Sequence, residues 1–296
     1  MTERIIDLAQ EPARLSVRNQ CLRIEREGQP ETTVPLAEVA VLVVSNPCVS
    51  FTSAVVAGLA QAGASLVVCD AQHMPAAMLL PLEAHFVQGE RFARQAQAPL
   101  PLRKRLWQSL VRAKIRGQAR LLVELRGHDA GLSALLPRVR SGDPGNVEAE
   151  ASRRYWPLLF DDPGFRRNRF AQDQNRLLNY GYTVLRALIA RAVCAAGLHP
   201  SLGLHHHNRY DAFRLVDDLM EPFRPLVDRA VVRYCEAHGA TAPLDKQAKA
   251  ALVGALMGRF DLEGESRTLA DMAARTAASL AAVYAHQRKA LLLPEL

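Results

Sequence analysis

Near residue 85 the chain changes its hydrophobic period, and that change limits the folds open to it. Before that point, ARLSVR (13–18), QCLRIER (20–26), VAVLVV (39–44) and SLVVCD (65–70) are short runs whose apolar residues alternate or continue unbroken. Such runs are strand-like. REGQP (26–30) supplies turn chemistry among them. One helix interrupts, SFTSAVVAGLAQAG (50–63). Ser50 or Thr52 can cap its start, Gly63 closes its end, and Phe51, Val55, Val56, Leu59 and Ala62 share one face.

Beyond residue 85 the apolar residues recur every three to four positions. LRKRLWQSLVRAKIRGQARLLVEL (102–125) sets Leu106, Leu110, Val111, Lys114, Ile115, Leu121 and Leu122 in a helical stripe. Segments 147–160, 170–197, 211–222, 225–238, 245–260 and 266–292 read the same way. SGDPGN (141–146) and FDDPGF (160–165) read as loops from their Asp-Pro-Gly content. The expected fold class is α+β. A small β-rich N-terminal domain, residues 1–85, precedes a larger all-α C-terminal domain, residues 86–296.

Composition narrows the function classes. Hydrophobic residues make up 49% of the chain, enough for a packed core, and the 23% charged share is ordinary for a globular protein. No apolar run approaches the ~18 residues of a membrane helix. MTERIIDLAQEP is too polar for a secretion signal. The five cysteines are far apart, odd in number and without a CxxC pair, which fits reduced thiols and a cytoplasmic location better than a disulfide framework or a cysteine-based zinc site. The net charge of +7 draws the chain toward polyanions.

Three clusters carry metal-binding or catalytic residue types. In GNVEAEASRRYW (145–156), Glu148 and Glu150 fall in the first helical turn, where either carboxylate also complements the helix dipole. In GLHHHNRY (203–210), His205, His206 and His207 point in different directions, and at most two of them can face one metal. In DDLMEPF (217–223), Asp218 and Glu221 are three apart and occupy neighbouring faces of a helix. Pro222 removes the helical partner of the Asp218 carbonyl, so a kink is expected there.

Taken together, these segments resemble the CRISPR-associated integrase family, the larger core protein of spacer acquisition. The resemblance covers nearly the whole chain. It is strongest in RLWQSLVRAKIRGQA (105–119), VEAEASRRYW (147–156), NRLLNYGYTVLRALIARAV (175–193) and GLHHHNRYDAFRLVDDLMEPFRPLVD (203–228). The length and the EPFRPLVD ending are similar to the type II forms. By this resemblance the catalytic residues and metal ligands are Glu148, His206 and Glu221. Glu148 stands seven before Tyr155 as the family pattern asks, His206 ends the Gly203-Leu204-His205-His206 run, and Glu221 precedes Pro222-Phe223-Arg224-Pro225. Asp218 matches a further acidic position expected just outside the ligands. Asn179 belongs to a polar stripe with Asn175, Tyr180 and Tyr182, whose place is beside the metal, beside the DNA or in a buried packing network. Ala149 departs from the usual glycine.

The resemblance implies a divalent-metal-dependent DNA endonuclease and integrase that joins prespacer DNA to a CRISPR array by 3′-OH transesterification. Two carboxylates and an imidazole suit Mg2+ or Mn2+. No GxxxxGK[ST] phosphate loop is present, consistent with chemistry that needs no ATP. Arg103, Lys104, Arg105, Arg153, Arg154, Arg166 and Arg167 are the expected DNA contacts, with Arg112, Lys114, Arg116 and Arg120 adding to the basic helix. The implied partners are double-stranded DNA (prespacer and repeat), a second copy of the chain forming a homodimer through the β-rich domain, and the smaller ferredoxin-like core acquisition protein. No membrane partner is expected. The alternative is a non-catalytic basic nucleic-acid binding module whose acids and histidines are surface residues.

Overall fold

The computed structural model describes residues 4–70, 75–81, 84–262 and 264–295. The outermost ends of the two expected domains, residues 1–3 and 296, lie outside the described residues. The N-terminal part runs β1 (Arg4–Leu8), β2 (Arg14–Arg18), β3 (Cys21–Glu25), β4 (Thr32–Pro35), β5 (Val39–Val44), β6 (Ser50–Phe51), α1 (Ser53–Gln61), β7 (Ser65–Cys69) and β8 (Pro75–Leu79). The helical part follows as α2 (Gln88–Ala96), α3 (Leu100–Arg126), α4 (Val147–Leu159), α5 (Gln174–Ala195), α6 (Arg214–Met220), α7 (Arg224–His238), α8 (Lys246–Leu256), β9 (Arg259–Leu262), β10 (Glu265–Thr268) and α9 (Leu269–Tyr284).

Two four-stranded sheets form the N-terminal part, ordered β1-β5-β7-β8 and β4-β3-β2-β6. In the first, β1, β5 and β7 are parallel and β8 closes the edge antiparallel. Strand β5 is VAVLVV and is buried throughout, because a central parallel strand is covered on both faces. Leu42 and Val44 pack with Leu15, Leu22 and Ile24 of the second sheet and with Val55 and Leu59 of α1. Val41 and Val43 point the other way, into the core of the helical part. The first sheet is therefore the shared wall between the two parts, with α5 lying against β5 and β7. This explains why α5 is buried over most of its length.

The expected strands and long helices form close to where the period placed them, and the mixed α+β class holds. Several details differ. Helix α1 begins at Ser53 rather than residue 50, because Ser50–Phe51 pairs with Arg14–Leu15 as an edge strand. Thr52 takes the cap position without a side-chain hydrogen bond, and Phe51 is exposed instead of facing the core. Gly63 ends the helix turn at φ +70, as expected of a left-handed terminator. The C-terminal part is not purely helical, since β9 and β10 form an antiparallel hairpin within it. Strands β1, β4 and β8 and helix α2 have patterns too short or too polar to separate from loop. Pro222 acts as expected. Helix α6 stops at Met220, a 3-10 turn spans Glu221–Phe223, and α7 starts at Arg224.

One buried acid ties three helices together behind that turn. Asp228 of α7 is 1% exposed and accepts hydrogen bonds from the hydroxyls of Tyr155 on α4, at 2.7 Å, and Tyr182 on α5. Burial pushes its carboxyl up to about 6, although both tyrosines and the Arg224 and Lys114 charges pull it down. A raised folded-state value means that the fold prefers the protonated acid. That preference is fully present below the ordinary aspartate value and is lost as the pH rises from about 4 to about 6. Asp228→Asn removes the titration and keeps an acceptor. In urea unfolding, the stability of the variant minus that of the wild type should rise by about 2–3 kcal/mol between pH 4 and 6.5 and then level off. A difference that stays constant across this range contradicts the assignment.

Candidate metal centre

Glu148 owes its position to the loop before α4. Asn146 and Asp143 both adopt left-handed backbone, with φ of 48 at each. This turns the Asp143 carboxylate onto the start of the helix, where it accepts from the N–H groups of Val147 and Glu148 at 3.0 Å each. Asp143 thereby satisfies two of the orphan donors of the first turn. Glu148 then points inward and meets Lys114 Nζ at 2.6 Å through Oε1. Glu150, the other glutamate of the same turn, faces outward and pairs with Arg138 and Arg154, at 2.7 and 2.6 Å. The two are thus separated by direction, which spacing alone left open.

Glu221 sits on the 3-10 turn that Pro222 forces, and is 3% exposed. Its Oε2 lies 2.6 Å from the same Lys114 Nζ, and its Oε1 accepts from Arg224 Nε at 2.9 Å. Oε2 has no donor aligned for a hydrogen bond, so its contact with the ammonium is ionic. Burial on its own pushes the Glu221 carboxyl up, but the Arg224 and Lys114 charges outweigh it and bring it down to about 2. Burial likewise pulls Lys114 down, and the Glu221 and Glu148 carboxylates overcome it, so the amine is raised and stays charged.

His206 is placed by Asp218. This acid is fully buried on α6, and its carboxylate gathers the chain of residues 204–206. The N–H of Leu204 donates at 2.6 Å, that of His205 at 3.1 Å and that of His206 at 3.3 Å. The His206 ring meets it as well, Nδ1 to Oδ1 at 2.6 Å. Gly203 makes this approach feasible, since a Cβ there would stand 2.9 Å from Arg214 Cβ and 3.0 Å from Asp218 Oδ2. The hydrogen bond to Asp218 raises the His206 ring above its ordinary value against the opposing effect of burial, with a further contribution from the Glu221 charge. Trp107 of α3 backs the loop: His205 stacks on it at 4.3 Å and His206 meets it edge-on at 5.7 Å. Trp107 and Lys114 lie seven residues apart, two turns along one face of α3.

The structure brings Glu148 and Glu221 onto one nitrogen and sets His206 on the adjoining loop. Among the described residues, no three His, Cys, Asp or Glu side chains stand ready at metal-binding distances. Lys114 takes the space between the two carboxylates, and His206 turns Nδ1 toward Asp218, so that Nε2 is the ring atom that could hold a metal. The donor set, two carboxylates and one imidazole, fits a hard divalent cation.

The remaining sequence candidates divide. Asp218 holds the His206 loop through three backbone N–H groups and the ring. Asn179 does not join the acids. It accepts from Arg167 at 2.6 Å and donates to the Arg169 carbonyl at 2.8 Å, and so organises the arginine loop. Arg153, Arg166 and Arg167 line one groove of about 370 Å³ with Trp156. Arg167 is half-buried and spent on Asn175 and Asn179, whereas Arg153 and Arg166 are exposed. Lys104 and Arg105 are exposed near the start of α3, and Arg103 is half-buried. Arg154 is held by Glu150. Lys114 is no phosphate-facing surface residue, being 8% exposed. Its signal lay in the sequence: a lysine inside an apolar stripe demands buried partners. Arg224 had no such signal.

Comparison with known proteins places this geometry. Residues 7–252 match the family model described as CRISPR associated protein Cas1. A CRISPR-associated endonuclease Cas1 of Neisseria meningitidis is 36% identical over 98% of this chain and 95% of its own length. One from Pyrobaculum aerophilum is 28% identical over 85% of this chain and 90% of its own. Among solved structures, a casposase bound to integration product superposes with a TM-score of 0.81 at 18% identity, covering 98% of this chain and 92% of the other. A Cas1 protein from Thermotoga maritima does so with a TM-score of 0.75 at 16% identity, covering 97% and 99%. At these identities the structural likeness concerns the fold. The family-model match and the Neisseria relative, which together span the β-rich part and the acid cluster, show that the chain belongs to the Cas1 family.

Proposed function

We propose that this chain is a divalent-metal-dependent DNA endonuclease and integrase that inserts prespacer DNA into a CRISPR array by 3′-OH transesterification. The observation that carries the reading is the convergence of Glu148 and Glu221 on one buried cationic nitrogen, with His206 fixed beside them by Asp218. A module that only binds nucleic acid has no use for two carboxylates gathered in its interior. The names of the relatives, CRISPR-associated endonucleases, support the same reading, as does a fold shared with an integrating casposase. The EPFRPLVD ending favours a type II form.

Glu148, His206 through Nε2, and Glu221 would hold Mg2+ or Mn2+. Such an ion supplies Lewis acidity at the scissile phosphate and lowers the pKa of an attacking hydroxyl. The chain's own residues do the rest. Asp218 fixes the ring of His206 through Nδ1 and so aims Nε2. Arg224 neutralises one oxygen of Glu221 and keeps that carboxylate ionised. The exposed Lys104, Arg105, Arg153 and Arg166 grip phosphates without reading bases. The attacking group is water for cleavage and a DNA 3′-OH for joining. In joining, the phosphorus–oxygen bond formed replaces the one broken, and no nucleotide cofactor is consumed.

The working assembly in this reading is a homodimer made through the β1–β8 region, with double-stranded prespacer and repeat DNA and a smaller ferredoxin-like partner, in the cytoplasm. Solved structures of the fold include a Cas6-RT-Cas1–Cas2 complex, with a TM-score of 0.79, and a Cas1–DNA complex, with a TM-score of 0.58. No helix among the described residues is long and apolar enough to cross a membrane.

The test is joining of a 3′-OH oligonucleotide to repeat DNA in Mn2+. Glu148→Ala, His206→Ala and Glu221→Ala should each lower joining by at least about a thousandfold, on the scale of losing a group that acts only in the transition state. Each variant should still melt as a folded protein. A variant that joins at the wild-type rate removes that residue from the site. Salt-sensitive DNA binding with no strand chemistry in any metal supports the binding-module alternative.

A further inference from the structure

Lys114 and a metal ion compete for the same place. Its Nζ lies 2.6 Å from Glu148 Oε1 and 2.6 Å from Glu221 Oε2, so the ammonium sits between the two carboxylates that a shared divalent cation would need. The second oxygen of Glu221 is engaged by Arg224. A divalent cation that bridges these two glutamates therefore meets an ammonium already between them. The charges also balance as they stand, two carboxylates against Lys114 and Arg224. A further double charge in so buried a cluster is opposed unless one cation leaves.

The two cations differ in how readily they can leave. Arg224 is fixed at the start of α7 with its guanidinium over the Tyr182 ring, 4.7 Å from the centroid. Lys114 is a compact charge on a flexible four-carbon stem, and its described ionic contacts are the two glutamates themselves.

We propose that Lys114 is a resident counter-ion that a divalent cation must displace from Glu148 and Glu221, so that this lysine sets the metal concentration at which the site loads. The inference rests on the metal-centre reading above and adds a competitor inside it. The exchange is one of ion pairs: no covalent bond changes, and the ammonium keeps its protons.

Calorimetric Mn2+ titration of the full chain without DNA tests it. Lys114→Met should bind Mn2+ about tenfold more tightly than the wild type, because the competitor is gone. Equal or weaker binding by a folded Lys114→Met overturns the inference. Should that variant fail to fold with its acids unpaired, the wild type answers by itself. Labelling by an amine-reactive acetyl ester, read by mass spectrometry, should rise several-fold at Lys114 when Mn2+ is added, while the exposed Lys289 stays constant. Unchanged Lys114 labelling in protein that calorimetry shows to bind Mn2+ overturns the counter-ion and leaves the metal centre standing. A wild type that binds no Mn2+ overturns both.

Discussion

Two carboxylates facing each other repel, and here one of them, Glu221, is buried while Glu148 is partly so. The Lys114 ammonium between Glu148 and Glu221 makes this arrangement tolerable, and much of the helical part is built to present it. Removing one partner of such a buried ionic cluster costs about 3–5 kcal/mol, because the remaining charges stay buried. That energy keeps the acids ionised and close together. A structural salt bridge needs one acid. The second acid and the histidine on the next loop are what the metal-centre proposal rests on.

Three aspartates do the positioning, each in a different way. Asp143 holds the first turn of α4 and so aims Glu148. Asp218 collects three backbone N–H groups and the His206 ring, which makes a rigid loop out of a run of histidines. Asp228 joins α4, α5 and α7 through two tyrosine hydroxyls and fixes the mutual placement of the helices that carry the acids. None of the three touches the ammonium. Shifts of an ångström in a catalytic group are costly to rate. The supporting acids are therefore as much a part of the site as the residues they aim.

The sequence shows the fold class through its change of period, and long helices such as α3 and α5 are legible because many turns repeat one signal. Short edge elements are not. Ser50–Phe51 continues smoothly into a helical pattern and becomes a strand only because Arg14–Leu15 lies beside it. The β9–β10 hairpin depends on pairing within one short stretch, and periodicity carries too little signal there. In the site, the choice of Glu148 over Glu150 came from family resemblance, since both occupy the first turn. In the structure Glu148 faces Lys114, whereas Glu150 faces outward to Arg138 and Arg154. Asp218 was legible as an acid near the ligands, but its embrace of the 204–206 backbone was not, because that contact bridges a loop and a helix. Asn179 looked suited to the acids and instead serves the arginine loop, a matter of side-chain direction that spacing does not encode.

The account stands on Glu148, His206 and Glu221 sharing one hard cation. Anomalous diffraction from a manganese-soaked crystal measures this directly. The account predicts a single strong manganese peak within about 2.0–2.6 Å of a Glu148 carboxylate oxygen, His206 Nε2 and a Glu221 carboxylate oxygen. A peak coordinated by Asp218 in place of Glu148, or by surface carboxylates elsewhere, contradicts it.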